Sequence, residues 1–277
     1  MPFISVGQEN SGSIDLYYED HGGGRPVVLI HGWPLSGASW EKQVPALLDA
    51  GYRVITYDRR GFGNSSRPTV GYDYDTFAHD LELILSKLDL RDAALVGFSM
   101  GGGEVARYLG KYGSTRVSRA GFIAAIPPFL LKTPDNPDGV DGAVFDGIKA
   151  SIAKDRLAFL AQFLANFYNV DVLRGTHISD EVVHLSWLIG AGASAKGMLD
   201  CVSAWGTDFR SDLAHIDVPT FVVHGDSDRI VPLAASAART AQMVQGAQLA
   251  VIEGGPHGLN WTHADRLNQE LIDFLGA

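Results

Sequence analysis

Short apolar runs alternate with amphipathic helical patterns at both ends of this chain but not in its middle, and that interruption narrows the possible folds most. The runs Asp15–Glu19, Pro26–Ile30, Arg53–Tyr57, Ala93–Phe98, Arg119–Ile126, Thr220–His224 and Gln248–Ile252 have the length and composition of buried strands. Between them, Trp40–Ala50, Thr76–Leu88, Met100–Lys111, Leu233–Gln245 and Asp265–Leu275 carry apolar residues at three and four spacing, the pattern of helices that cover a sheet. Strand, helix and strand in this order predict an α/β fold, a mostly parallel twisted sheet in a three-layer α/β/α sandwich. After Ile126 the order stops at Pro127-Pro128 and a Pro/Asp/Asn/Gly-rich stretch, and the next strand pattern begins only at Thr220. The helical patterns inside this insertion, Ala143–Ala153, Asp155–Phe167, Asp180–Ile189 and Ala195–Trp205, predict a helical cap over residues 129–206. The core is then 1–128 together with 207–277, and the cap sits over the carboxyl edge of the sheet, where open α/β sheets bind ligands.

Composition fixes the class. With 46% hydrophobic and 19% charged residues among 277, the chain can bury a large core and has no signature of disorder. A formal charge of −10 would repel a phosphate backbone, which argues against a nucleic-acid partner. No apolar run approaches the roughly 20 residues of a membrane span, and no basic-then-apolar segment opens the sequence. No membrane association and a cytoplasmic location are therefore expected. Cys201 is the single cysteine, so no internal disulfide or Cys-pair metal site is available, and a small buried apolar role is expected for it.

The sharpest local signal is Gly97-Phe98-Ser99-Met100-Gly101, a G-x-S-x-G between an apolar strand pattern and a helical one, which is the context a nucleophile elbow demands. A serine on so tight a turn requires neighbours without a Cβ, and Gly97 and Gly101 meet that need. A hydroxyl is a weak nucleophile, so a base and an acid that orients the base should follow, in the order Ser, Asp or Glu, His. Two loops open at the same edge: Gly225-Asp226-Ser227-Asp228-Arg229-Ile230-Val231-Pro232 and Gly254-Gly255-Pro256-His257-Gly258. His257 is the expected base, since of nine histidines it stands in a Gly-rich turn directly beyond a late strand. Asp228 is the leading acid and Asp226 its rival; either could instead cap the helix expected near Pro232.

Charge developing on a carbonyl oxygen requires donors already in place. The backbone N–H groups of Met100, at the amino end of the helix, and Trp33, in the loop His31-Gly32-Trp33-Pro34, are the expected oxyanion hole. His31 is expected to orient that loop. His224, Asp226 and Asp228 alternate in a way that suggests a metal site, but Gly225 marks the end of the strand, so no metal is expected. The glycines of the segment from Asp58 to Ser65 lack the full dinucleotide-binding pattern and are assigned to a structural turn. Of Phe129, Phe145, Phe159, Phe163, Phe167, Trp187 and Trp205, one or two are expected to touch substrate, the others forming the cap core. The acidic surface mildly favours a neutral small-molecule substrate.

With these residues in place, the chain resembles the α/β-hydrolases, and within them the cofactor-free, non-heme haloperoxidases, which are similar to aryl esterases, perhydrolases and a γ-lactamase. The resemblance runs almost end to end, through Val54 to Gly63 (VITYDRRGFG), Gly71 to Phe77 (GYDYDTF), Gly97 to Tyr108 (GFSMGGGEVARY), Pro127 to Thr133 (PPFLLKT) and Gly255 to Leu259 (GPHGL). It implies a serine hydrolase without cofactor, with Ser99, Asp228 and His257 as triad and Trp33 and Met100 as oxyanion donors. It further implies an acyl-serine that water resolves to acid, or hydrogen peroxide to a peracid that oxidises halide in solution, and a homo-oligomer. A serine at the elbow excludes the haloalkane dehalogenases and epoxide hydrolases, which need a carboxylate there. A γ-lactamase or amidase on the same triad, and a low-turnover ligand receptor on the same fold, are the alternative readings.

Overall fold

The computed structural model describes residues 2–276. Its eight strands among those residues are β1 (Phe3–Glu9), β2 (Gly12–His21), β3 (Pro26–Ile30), β4 (Arg53–Tyr57), β5 (Ala93–Phe98), β6 (Val117–Ile123), β7 (Thr220–Gly225) and β8 (Gln248–Ile252). They form one sheet in the order β1-β2-β4-β3-β5-β6-β7-β8. β1, β2 and β4 pair antiparallel and every pairing from β4 through β3 to β8 is parallel. The central strands are largely apolar because both faces of the sheet are covered; every residue of β5 and β7 is buried. β8 closes one edge and leaves Leu249 and Val251 exposed.

The hairpin of β1 and β2 extends the sheet beyond the strands expected from sequence. Its signal is the alternation that buries Ile4 and Val6 and the two-residue turn Asn10-Ser11, with Asn10 at φ 52°, a conformation that asparagine tolerates. β6 ends at Ile123 rather than Ile126 because Ala124 turns to φ 44°, while its N–H still reaches Val223 O at 2.8 Å.

The core helices are α1 (Gln43–Asp49), α2 (Tyr74–Lys87), α3 (Met100–Tyr112), α9 (Ala237–Met243) and α11 (Ala264–Gly276), and four more, α4 (Gly142–Phe167), α5 (Val170–Leu173), α6 (Asp180–Gly192) and α7 (Ala195–Ala204), lie between β6 and β7. Short helices α8 (Arg210–Leu213) and α10 (Leu259–Thr262) complete the chain. The pattern read as one helix from Trp40 to Ala50 divides into a 3-10 turn, Gly37–Trp40, and α1. Pro45 is the reason, since proline fits the first turn of a helix but not its interior. α4 is broken at Asp155, which takes φ −157° and ψ 92° and whose Oδ1 accepts the Ala158 N–H at 3.0 Å. That is an N-cap inside a continuous chain, and it gives the two helices expected on either side of residue 154. No helix among the described residues is long and apolar enough to cross a membrane.

Candidate active site

β5 ends at Phe98 and α3 begins at Met100, so Ser99 alone makes the turn between them, at φ 55° and ψ −119°. A serine holds so sparsely populated a conformation only where its surroundings impose it. The imposition is visible in the glycines: a Cβ on Gly97 would lie 2.4 Å from Gly101 O, and one on Gly101 would lie 2.3 Å from Ile30 O. Ser99 N–H donates to Ile123 O at 2.8 Å, tying the turn to β6. Gly32 faces the turn from the loop after β3, and a Cβ there would stand 2.9 Å from Ser99 Cβ.

The loops after β7 and β8 bring two side chains to this point. His257 Nε2 lies 2.9 Å from Ser99 Oγ, and His257 Nδ1 lies 2.7 Å from Asp228 Oδ2. Since the carboxylate only accepts, Nδ1 carries the proton and Nε2 is left to accept from the serine hydroxyl. Ser99 and His257 are buried, and so is the side chain of Asp228. The imidazole is wedged between Phe98 and Phe167, with ring centroids 5.2 and 4.9 Å away. Asp228 Oδ1 accepts the N–H groups of Ile230 and Val231, each at 2.8 Å. Burial alone would raise the Asp228 carboxyl, but its interactions with His257 first and His224 second outweigh it and hold the group well below its ordinary range.

Asp226 goes elsewhere. Its Oδ1 accepts the N–H of Gly254 at 2.8 Å and the hydroxyl of Ser227 at 3.0 Å, so it pins the loop after β8 instead of meeting His257. His224 does not join it in a metal-binding arrangement; its Nε2 lies 2.9 Å from Val231 O and 3.1 Å from Asp228 Oδ2. The acid loop is also held by the inserted segment. Asn169 Nδ2 donates to Ser227 O at 2.8 Å, and Arg229 pairs with Asp171 at 2.7 and 3.2 Å.

The N–H groups of Trp33 and Met100 donate to no hydrogen bond among the described residues. Both flank Ser99, one from the next strand's loop and one at the amino end of α3, where the helix dipole favours negative charge. His31 lies away from the triad and ties two loops together: its Nε2 accepts the Arg59 N–H at 2.9 Å and its Nδ1–H donates to Gly32 O at 2.8 Å. Burial first, and the Arg59 charge second, hold this imidazole well below its usual range, so it stays neutral.

Two participants were not legible as such in the sequence. Arg59 and Glu104 are buried behind the elbow, joined Nε to Oε2 at 2.9 Å, with Tyr57 donating to the other carboxylate oxygen. Arg59 also donates to His31 O at 2.9 Å, so the pair connects α3 to the loop that carries Trp33. In sequence Arg59 stands between the charged Asp58 and Arg60 and Glu104 stands in a helical pattern, without a mark of who pairs with whom. Removing one partner strands the other charge, and Glu104→Leu is expected to lower unfolding stability by about 3–5 kcal/mol in urea titration. Cys201 is buried, and burial pushes its thiol up to about 12, leaving it without thiolate character near neutral pH.

A cavity of about 270 Å3 opens onto Ser99. Its walls are mostly apolar and include Phe145, Phe159, Phe163 and Trp205, with Gln162 and Arg229 among its few polar residues. Four of the seven candidate aromatics therefore line it. Phe167 packs on His257 instead, and Trp187 donates to Leu157 O on the outer side of α4.

Comparison with known proteins agrees with this architecture. A family model described as alpha/beta hydrolase fold matches residues 25–264. A Synechocystis protein assigned by name to the non-heme chloroperoxidases is 62% identical over 99% of this chain and 100% of its own length. The bifunctional esterase/perhydrolase of Acinetobacter calcoaceticus is 37% identical over 95% of this chain and 96% of its own. The crystal structure of a bromoperoxidase from Bacillus anthracis superposes with a TM-score of 0.96 at 51% identity, covering 100% of this chain and 99% of that one.

Proposed function

Because the chain belongs to the α/β-hydrolase family, in the branch of the non-heme haloperoxidases, we propose that it is a serine esterase with perhydrolase and haloperoxidase activity, and that Ser99, His257 and Asp228 carry its chemistry. The observation that supports this most is the unbroken relay from Ser99 Oγ through the His257 ring to Asp228, with contacts of 2.9 and 2.7 Å, at the mouth of an apolar cavity.

His257 Nε2 takes the hydroxyl proton as Ser99 attacks the ester carbonyl. The imidazolium that forms is stabilised by Asp228, which stays ionised. Negative charge on the carbonyl oxygen is met by the N–H groups of Trp33 and Met100, which have no competing acceptor. His257 then returns the proton to the departing alkoxide, leaving an acyl-serine. Water, deprotonated by the same nitrogen, releases the acid and restores Ser99. Hydrogen peroxide in place of water leaves as the peracid, which oxidises bromide or chloride outside the site, the peracid being reduced to the acid. The reaction needs no metal.

The segment 129–206 acts as the cap over this cavity, and its aromatics select the acyl group. Purified protein is expected to turn over p-nitrophenyl acetate after extensive chelator treatment. With acetate, peroxide and bromide it should also brominate a phenol indicator. Release of a single equivalent of nitrophenol, with no further turnover, would favour the receptor reading.

A further inference from the structure

The acid of the triad touches two histidines, of which the mechanism uses one. His224 is the penultimate residue of β7 and is wholly buried. Its Nε2 lies 2.9 Å from Val231 O and 3.1 Å from Asp228 Oδ2, the oxygen that also receives His257 Nδ1–H. Both neighbours of Nε2 are acceptors, so this nitrogen carries a proton, donated to Val231 O with the Asp228 carboxylate beside it. Nδ1 is buried with no hydrogen-bond partner among the described residues. A proton there would have no acceptor, so the ring is held as the neutral Nε2–H tautomer, a donor that cannot exchange roles.

We infer that His224 is a positioning residue for the reaction: its Nε2–H, donated to Val231 O and standing 3.1 Å from Asp228 Oδ2, fixes the carboxylate plane so that the same oxygen faces His257 throughout turnover. The geometry makes the need clear. Oδ1 is held by two backbone donors from Ile230 and Val231, but these lie on one side of the group. Without His224, Oδ2 would be located only by His257, the ring that must itself be oriented by it. With His224 each carboxylate oxygen faces an N–H from an element other than the base, Oδ1 from the turn after β7 and Oδ2 from β7 itself. The second acceptor, Val231 O, ties the same ring to that turn, so one side chain sets both the acid and the loop carrying it.

This inference rests on Asp228 being the acid, and the tests separate the two. His224→Leu, which fills the space without a donor, is expected to lower kcat on p-nitrophenyl acetate by about 10- to 100-fold, the worth of one hydrogen bond to a charged group. KM should stay within about twofold, because the acyl pocket is untouched. His224→Gln, whose amide nitrogen reaches the place of Nε2, is expected to recover at least about a tenfold part of that loss. Wild-type kcat in His224→Leu, or equal impairment of the Leu and Gln variants, would overturn the positioning role while leaving the hydrolase reading intact. Should His224→Leu not fold, nitrogen NMR of wild-type protein labelled in histidine decides. A protonated Nε2 and bare Nδ1 at His224 from pH 6 to 8 supports the inference, and the opposite tautomer overturns it.

Discussion

Replacement of Ser99 by alanine is expected to remove ester hydrolysis, peracid formation and peroxide-dependent halogenation together, by about 10^4- to 10^6-fold in kcat. The reason is that each product derives from one acyl-serine, and no other hydroxyl stands in the arrangement of Ser99, 2.9 Å from His257 Nε2 among the described residues. The turn should survive the change, since its strain comes from the backbone and its glycines and not from Oγ. Three rate measurements on one preparation check this, beside a thermal melt that matches wild type. Halogenation that persists while ester hydrolysis is lost would mean that halide oxidation has its own site, and the common intermediate would have to be abandoned.

Second in size is the contrast between two aspartates two residues apart. Asp228→Asn is expected to lower kcat by about 10^4-fold, because an amide in place of Oδ2 no longer selects the His257 tautomer that accepts from serine. Asp226→Asn should leave kcat within about threefold, since its partners are the Gly254 N–H and the Ser227 hydroxyl, which an amide oxygen still accepts. Both variants keep the size of the side chain, so the comparison isolates the charge and the donor pattern. Parallel kcat determinations at neutral pH suffice, and the reverse ranking would transfer the role of acid to Asp226.

Much of this molecule was legible before any coordinates. The parallel strands announced themselves because burial on both faces leaves no room for polar residues, and the elbow because its backbone tolerates glycine and little else. What sequence conveyed poorly was pairing across distance. Arg59 and Glu104 are 45 positions apart, and nothing local distinguishes a buried ion pair from two solvated charges. The same holds for the alternation of His224 with Asp226 and Asp228: Gly225 told against a metal and Asp228 was the leading acid, but that Asp226 holds Gly254 and His224 meets Asp228 was not visible. The β1 hairpin was missed because an edge strand with one exposed face carries half the apolar signal of a central one. Which of the aromatics reach the cavity was not legible, because helical spacing gives the face of a helix without saying whether a cavity or a neighbour lies opposite.

The struts between the inserted helices and the acid loop bear on how such enzymes diversify. Asn169 holds Ser227, Asp171 holds Arg229, and Phe167 packs on the His257 ring and accepts the Gly258 N–H at 2.8 Å. Three successive odd positions of one segment thus brace the residues on either side of Asp228, and His257 together with the residue after it. Cap and catalyst are consequently not separable modules. A chimera that exchanges residues 129–206 for a foreign cap imports a new acyl pocket and removes these braces at once. A graft that retains 167–171 from this chain keeps them, so a lineage can remodel the substrate pocket freely from Phe145 to Phe163 but only cautiously beyond Phe167.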